Sequence, residues 1–252
     1  MSETKVIHGV KTAFRHSGNG RDVILLHGWG QNMFMMSKIE EHLSPSFSVW
    51  NLDFPGHGES DVVPEAWGVN DYTAFLSDFI TEFRIEDPIL IAHSFGCRMA
   101  IRYASRYPVR KMCLTGAAGI RPALSNKQNM KTRMYKAAKW ALKTTHQDEL
   151  LKKLQDRSGS EDYRNAKGVM RETFVKVVND DVRPVLKDVT CPVLLVFGEF
   201  DAATPLYMGK IMEEEMPDAG LAVFEGDDHF AYWNQADRFN RVLDIFLKDD
   251  KS

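Results

Sequence analysis

Six nearly unbroken apolar runs constrain this chain more than any other feature: VILLH (23–27), SVWNLD (48–53), PILIAH (88–93), KMCLTGA (111–117), PVLLVFGE (192–199) and LAVFEG (221–226). A strand with one wet face alternates apolar and polar residues, whereas a strand covered on both faces reads as a continuous apolar run. Between these runs lie segments of helical pattern at 33–43, 70–84, 95–106, 205–216 and 234–247. Strand-then-helix alternation calls for an α/β fold, a mostly parallel central sheet with helices on both faces. The opening stretch TKVIHGVKTAFRHSG reads as an antiparallel hairpin that precedes the alternation.

One region breaks the rhythm. Residues 121–183 contain no convincing strand and carry 15 Lys/Arg against 8 Asp/Glu, a local charge of +7 in a chain whose net charge is -3. The simplest organisation is a core made of 1–120 and 185–252, with a helical insertion, a cap or lid, at 121–184. Within it, 121–143 has seven basic residues and no acid. Met130, Met134, Ala137 and Ala141 share one helical stripe there. Three readings stay open for this stretch: a solvated basic face over an apolar lid, a surface that attracts anionic substrates, or a helix lying on lipid.

Composition narrows the class. With 44% hydrophobic and 27% charged residues, the chain has material for a sizeable core. Its charge gives no footprint for nucleic acid. No window approaches the roughly 18 consecutive apolar residues of a spanning helix, and the N-terminus lacks the apolar centre of a secretory signal. No stable membrane insertion is expected. Cys97, Cys113 and Cys191 are far apart and odd in number, which suits small buried side chains in a reducing, cytoplasmic setting. Oligomeric state is left open.

The chemistry begins at Ala92-His93-Ser94-Phe95-Gly96, where a strand turns into a helix. A nucleophile on so sharp a turn needs small residues two places before and after it, as in the pattern G-x-S-x-G; here the first is alanine. A serine hydroxyl needs a base, and the base needs an orienting group. His229, in EGDDHFAYW, and Asp201, in FGEFDAATP, both follow strand ends. The chain order Ser94, Asp201, His229 suits a sheet enzyme of this kind. A tetrahedral intermediate also needs main-chain N–H donors. Phe95 at a helix start and Trp29 in LLHGWGQN can supply them, with Gly28 and Gly30 letting the loop bend close.

Together these stretches resemble the α/β-hydrolases of the serine esterase and lipase-like group. HGWG resembles that family's oxyanion loop, DFPGHGES (53–60) the loop after its next strand, AHSFG its nucleophile elbow, GEFDAATP its acid turn and GDDHF its histidine loop. The resemblance covers about 1–118 and 185–252. It implies the α/β-hydrolase fold with a variable helical cap, and a carboxylesterase-like serine hydrolase acting on small-molecule esters without metal or cofactor. The departures are Ala92 for glycine and Cys97 where a second glycine is frequent. A serine at position 94 argues against the epoxide hydrolase and dehalogenase branches, which use aspartate there. Thioesterase, amidase, C–C bond hydrolase and perhydrolase chemistry stay open, as does a non-enzymatic small-molecule receptor on the same scaffold.

Rivals for the acid are Glu199, Asp227 and Asp228. The first opens the acid turn and the other two are placed to shape the histidine loop. Pocket candidates are His27, Gly28, Met33, His93, Met130 and Met134. For His27 and His93 the competing expectation is structural hydrogen bonding, and for Met33 it is core packing.

Overall fold

The computed structural model describes residues 2–121 and 160–251, with residues 130, 134, 135, 137, 138, 140–142, 144, 145, 147, 149 and 150 between them. The opening hairpin pairs β1 (Glu3–Ile7) with β2 (Val10–Ser17). Its two-residue turn holds both His8 and Gly9 at positive φ (49° and 77°), the twist that suits tight hairpins. The later strands are β3 (Asp22–Leu26), β4 (Ser48–Leu52), β5 (Ile89–His93), β6 (Lys111–Thr115), β7 (Val193–Gly198) and β8 (Ala219–Phe224). They form one eight-stranded sheet in the order β1-β2-β4-β3-β5-β6-β7-β8. β2 meets β4 antiparallel, and every pairing from β4 to β8 is parallel.

The continuous apolar runs are explained by two cores, one on each face of the sheet. Ile24, Leu26, Leu90, Ala92, Met112 and Leu114 point into one, and Val23, Leu25, Ile89, Ile91 and Cys113 into the other. The first face is covered by α2 (Val69–Glu82) and α3 (Phe95–Ala104). The helix α1 (Ser37–Leu43) lies on the second. Full burial of each Leu, Ile or Val stabilises the fold by about 1.5–3 kcal/mol before entropy is counted.

Two expected helices are interrupted. The 33–43 segment starts as a 3-10 turn, Met33–Met36, capped by Asn32, before α1 begins. Here Asp53 accepts the Met33 N–H at 2.6 Å, which holds the start of the turn against the end of β4. The 234–247 segment is broken at Gln235, whose side-chain amide donates to Glu225 O and Asp227 Oδ2.

Between β6 and β7 the described residues contain no strand. The excursion leaves and returns at one point, where the Val182 N–H donates to Gly119 O at 3.0 Å. It includes α4 (Glu161–Asn165) and α5 (Gly168–Val178). α5 is tied to the loop after β4 by a bond from the Trp67 N–H to Thr173 Oγ1. The helices α6 (Leu206–Glu215), α7 (Ala231–Asn234) and α8 (Ala236–Phe246) complete the fold. Most of the basic residues of 121–143 lie outside the described residues. No helix among the described residues is long and apolar enough to cross a membrane.

Candidate active site

The site forms beyond the carboxyl ends of β5, β7 and β8. Ser94 follows β5 with φ 49° and ψ -107°, a conformation that side chains other than glycine adopt at a cost of order 1–3 kcal/mol. The corner is over-determined by its surroundings. The Ser94 N–H donates to Thr115 O at 3.0 Å, and Ser94 O accepts from Cys97 N at 3.1 Å and Ala118 N at 3.4 Å. Gly96 lets the helix press on β3: a Cβ there would stand 2.4 Å from Leu26 O. The Ala92 methyl is fully buried among the apolar side chains of the first core, so the alanine fits without disturbing the turn.

His229, on the loop after β8, has Nε2 2.9 Å from Ser94 Oγ and Nδ1 2.7 Å from Asp201 Oδ2. A carboxylate only accepts, so Nδ1 carries the proton and Nε2 offers its lone pair to the serine hydroxyl. Asp201 follows β7 and is 4% exposed. Its Oδ1 accepts the Ala203 and Thr204 N–H groups, both at 2.8 Å, and its Oδ2 accepts the Thr204 hydroxyl at 2.7 Å. Burial pushes the Asp201 carboxyl up, but the hydrogen bond and charge of His229 and the two bonds from Thr204 together hold it below the usual carboxylate range. Asp201 is therefore an anion across the whole neutral range.

The rival acids do other work. Asp227 accepts from Asn234 Nδ2 at 2.8 Å and Gln235 Nε2 at 2.9 Å, Asp228 accepts the Phe230 N–H, and Glu199 accepts the Gly226 N–H. These bonds shape the histidine loop.

Trp29 and Phe95 line the same cavity as Ser94, and their main-chain N–H groups have no acceptor among the described residues. His27 sets the loop that presents Trp29. Its Nδ1–H donates to Gly28 O at 2.7 Å and its Nε2 accepts the Phe54 N–H at 3.0 Å. Burial, with His57 adding to it, pushes the imidazole down to about 3, so it stays neutral. The Trp29 ring packs edge-on against Phe95 and His57 and leans on Phe174 of α5.

A cavity of 260 Å³ opens on Ser94, lined by Trp29, Phe95, Arg98, Ile120, Asp162 and Phe174 among others. Its composition corrects the expected pocket. His27, Gly28 and His93 are sealed in the fold, and Met33 is only 6% exposed, so none of the four reaches the cavity. His93 lies under the site, with its Nδ1–H on Thr115 O and its ring 4.7 Å from that of His229. Met130 and Met134 are 59% and 66% exposed and line no part of the cavity. The walls come instead from the segment after β6 and from α5, because the excursion folds back over the sheet at Gly119.

Thr204, Arg98, Asp162 and Phe174 were not found by sequence reasoning. Thr204 alone had a local signal, three residues after Asp201 and directly before a proline. That spacing lets a carboxylate cap the following turn.

The alpha/beta hydrolase family profile matches residues 23–242. The chain belongs to the alpha/beta hydrolase family. Among its relatives, the 2-hydroxy-6-oxo-6-phenylhexa-2,4-dienoate hydrolase of Burkholderia cepacia is 29% identical, over 92% of this chain and 89% of its own. The pimeloyl-(acyl-carrier protein) methyl ester esterase of Chromobacterium violaceum is 25% identical, over 90% of this chain and 94% of its own. Among solved structures, an esterase from Exiguobacterium antarcticum superposes with a TM-score of 0.77 at 20% identity, covering 98% of this chain and all of that one.

Proposed function

We propose that the protein is a carboxylesterase-like serine hydrolase that cleaves small esters through an acyl-enzyme. The observation that carries this reading is the unbroken chain Asp201–His229–Ser94 ending beside two main-chain N–H groups that have no acceptor. In the first half-reaction His229 Nε2 takes the Ser94 proton while Oγ attacks the ester carbonyl. Asp201 holds the imidazole in the required tautomer and balances the charge it gains. The Trp29 and Phe95 N–H groups receive the oxyanion, each worth about 3–4 kcal/mol in such a site. His229 then gives its proton to the departing alcohol. In the second half-reaction it activates water, which releases the acid and restores Ser94.

The described part of 121–184 acts in this reading as a cap over the site, with α5 forming the ceiling of the cavity. The three unpaired cysteines fit a reducing, cytoplasmic location. No nucleic acid or membrane partner enters the reaction.

The test is pre-steady-state hydrolysis of a short p-nitrophenyl ester. Wild type gives a burst of p-nitrophenol equal to the enzyme present, and Ser94→Ala gives none. A folded Ser94→Ala protein with normal turnover would overturn the reading. The Burkholderia cepacia relative keeps C–C bond hydrolysis as a second reading. Faster turnover of a vinylogous diketone than of any ester, with the same dependence on Ser94, would establish it instead.

A further inference from the structure

Arg98 lies one helical turn beyond Ser94 on α3, is 9% exposed, and lines the same cavity. A guanidinium has five N–H donors. This one makes a single hydrogen bond, from Nη1 to Asp180 O at 2.6 Å. None of its nitrogens is both sealed in protein and without a partner, and the residue lines the cavity that opens on Ser94.

Buried charges are ordinarily paired, yet no carboxylate among the described residues lies within 4.0 Å of this one. The neighbouring acids are engaged elsewhere. Both oxygens of Asp180 accept from Arg102 Nη2 at 2.9 Å, and Asp181 Oδ1 accepts the Arg183 N–H at 3.1 Å. Arg121, a further cation nearby, donates to Asn179 O. Burial pushes the Arg98 guanidinium down to about 10, offset by Asp180 and Asp181, and it remains a cation at neutral pH.

The rest of the cavity gives this charge a direction. Ala118, Ile120, Val177 and Met208 make its wall largely apolar. The other charged group in the lining, Asp162, lies beside Gly30 of the oxyanion loop. Its carboxylate repels an anion from that end, while Arg98 attracts one to its own. The volume of about 260 Å³ is below the roughly 300–1,000 Å³ of pockets for drug-sized ligands, which favours a short chain. A single guanidinium matches a singly charged, planar carboxylate.

We propose that Arg98 is the specificity residue for a carboxylate carried by the substrate, so that the natural ester is a monoester of a short aliphatic dicarboxylic acid. This rests on the reading of Ser94 as nucleophile. The cavity receives the acyl chain with the scissile carbonyl at Ser94 and the free carboxylate on Arg98.

The experiment compares kcat/KM at neutral pH for monomethyl succinate, glutarate and adipate with the methyl esters of butanoic, pentanoic and hexanoic acids. Wild type should favour at least one anionic ester over its neutral counterpart by tenfold or more, mainly through KM. Arg98→Met should lower that ratio at least tenfold, and Arg98→Lys should restore part of it. A wild-type ratio of one or less overturns the proposal whether or not the variants fold; so does a preference that survives in folded Arg98→Met. Calorimetric binding of the same monoesters to Ser94→Ala separates the two readings. If no ester is turned over but Arg98-dependent binding persists, the nucleophile assignment fails and the anion site stands. If esters are turned over and no such binding is found, the anion site fails and the hydrolase stands.

Discussion

The backbone of Ser94 is held in the left-handed region (φ 49°) by three main-chain hydrogen bonds, and this strain aims Oγ at His229. In the proposed reaction the serine depends on an imidazole tautomer, which the 2.7 Å bond to Asp201 sets. Asp201→Asn should leave the fold intact and lower kcat by about 10⁴-fold, since an amide can favour the wrong imidazole tautomer; single-turnover ester hydrolysis measures it. The thiols make a second residue-level case. Burial pushes Cys97 and Cys113 well above the usual thiol range and Cys191 up to about 11. The thiolate is the reactive form. Native protein at pH 8 should therefore show no fast reaction with an aromatic disulfide reagent, and the denatured chain should show all three cysteines reacting.

At the scale of the element, the elbow couples β5 to α3 through close backbone contact. Gly96→Ala places a methyl group against the carbonyls of Leu26 and His27, at 2.4 and 2.9 Å. Neither carbonyl can move without disturbing β3 or its following loop. A loss of about 1–3 kcal/mol in urea unfolding is expected. Ala92→Gly, which restores the commoner signature, should cost about 1–2 kcal/mol, through added freedom in a strand and the loss of a buried methyl group, with kcat/KM for esters unchanged. The strands and their faces were legible because burial on both sides leaves an unmistakable apolar run. The breaks at Met36 and Gln235 were not, since each answers to a distant partner: the carboxylate of Asp53 after β4, and the loop after β8.

At the scale of the molecule, the C-terminal tail is clamped to the amino end of β6, the end of the sheet opposite the site. The Asp250 side chain is fully buried, with Arg110 Nε at 2.8 Å and Lys111 Nζ at 2.6 Å. Burial pushes its carboxyl up, but Lys111 and Arg110 together hold it below the ordinary value of 3.8. A depressed carboxylate stabilises the fold fully above its unfolded pKa and loses that contribution as pH falls through the folded one. Asp250→Asn should thus cost about 1–3 kcal/mol at pH 7, since Arg110 is 42% exposed and screened, and the gap to wild type in urea midpoint should shrink towards zero as pH falls below 3.8. An unchanged gap at acid pH would show that packing, and not charge, holds the tail.

The sequence by itself determined the layers and the strand-then-helix alternation, and it set Ser94, Asp201 and His229 just past strand ends. Each of these is written in short-range pattern: apolar periodicity, small residues at a corner, and polar residues just past strand ends. The walls of the cavity were decided by the tertiary structure alone. Arg98 reads in the chain as one more basic residue on a helix, and Met130 and Met134 read as a lid. Only the return of the excursion at Gly119 closes a cavity that Arg98 and Ser94 both line, with both methionines left exposed. Burial of a charge depends on which distant segments close over it, and no local spacing records that.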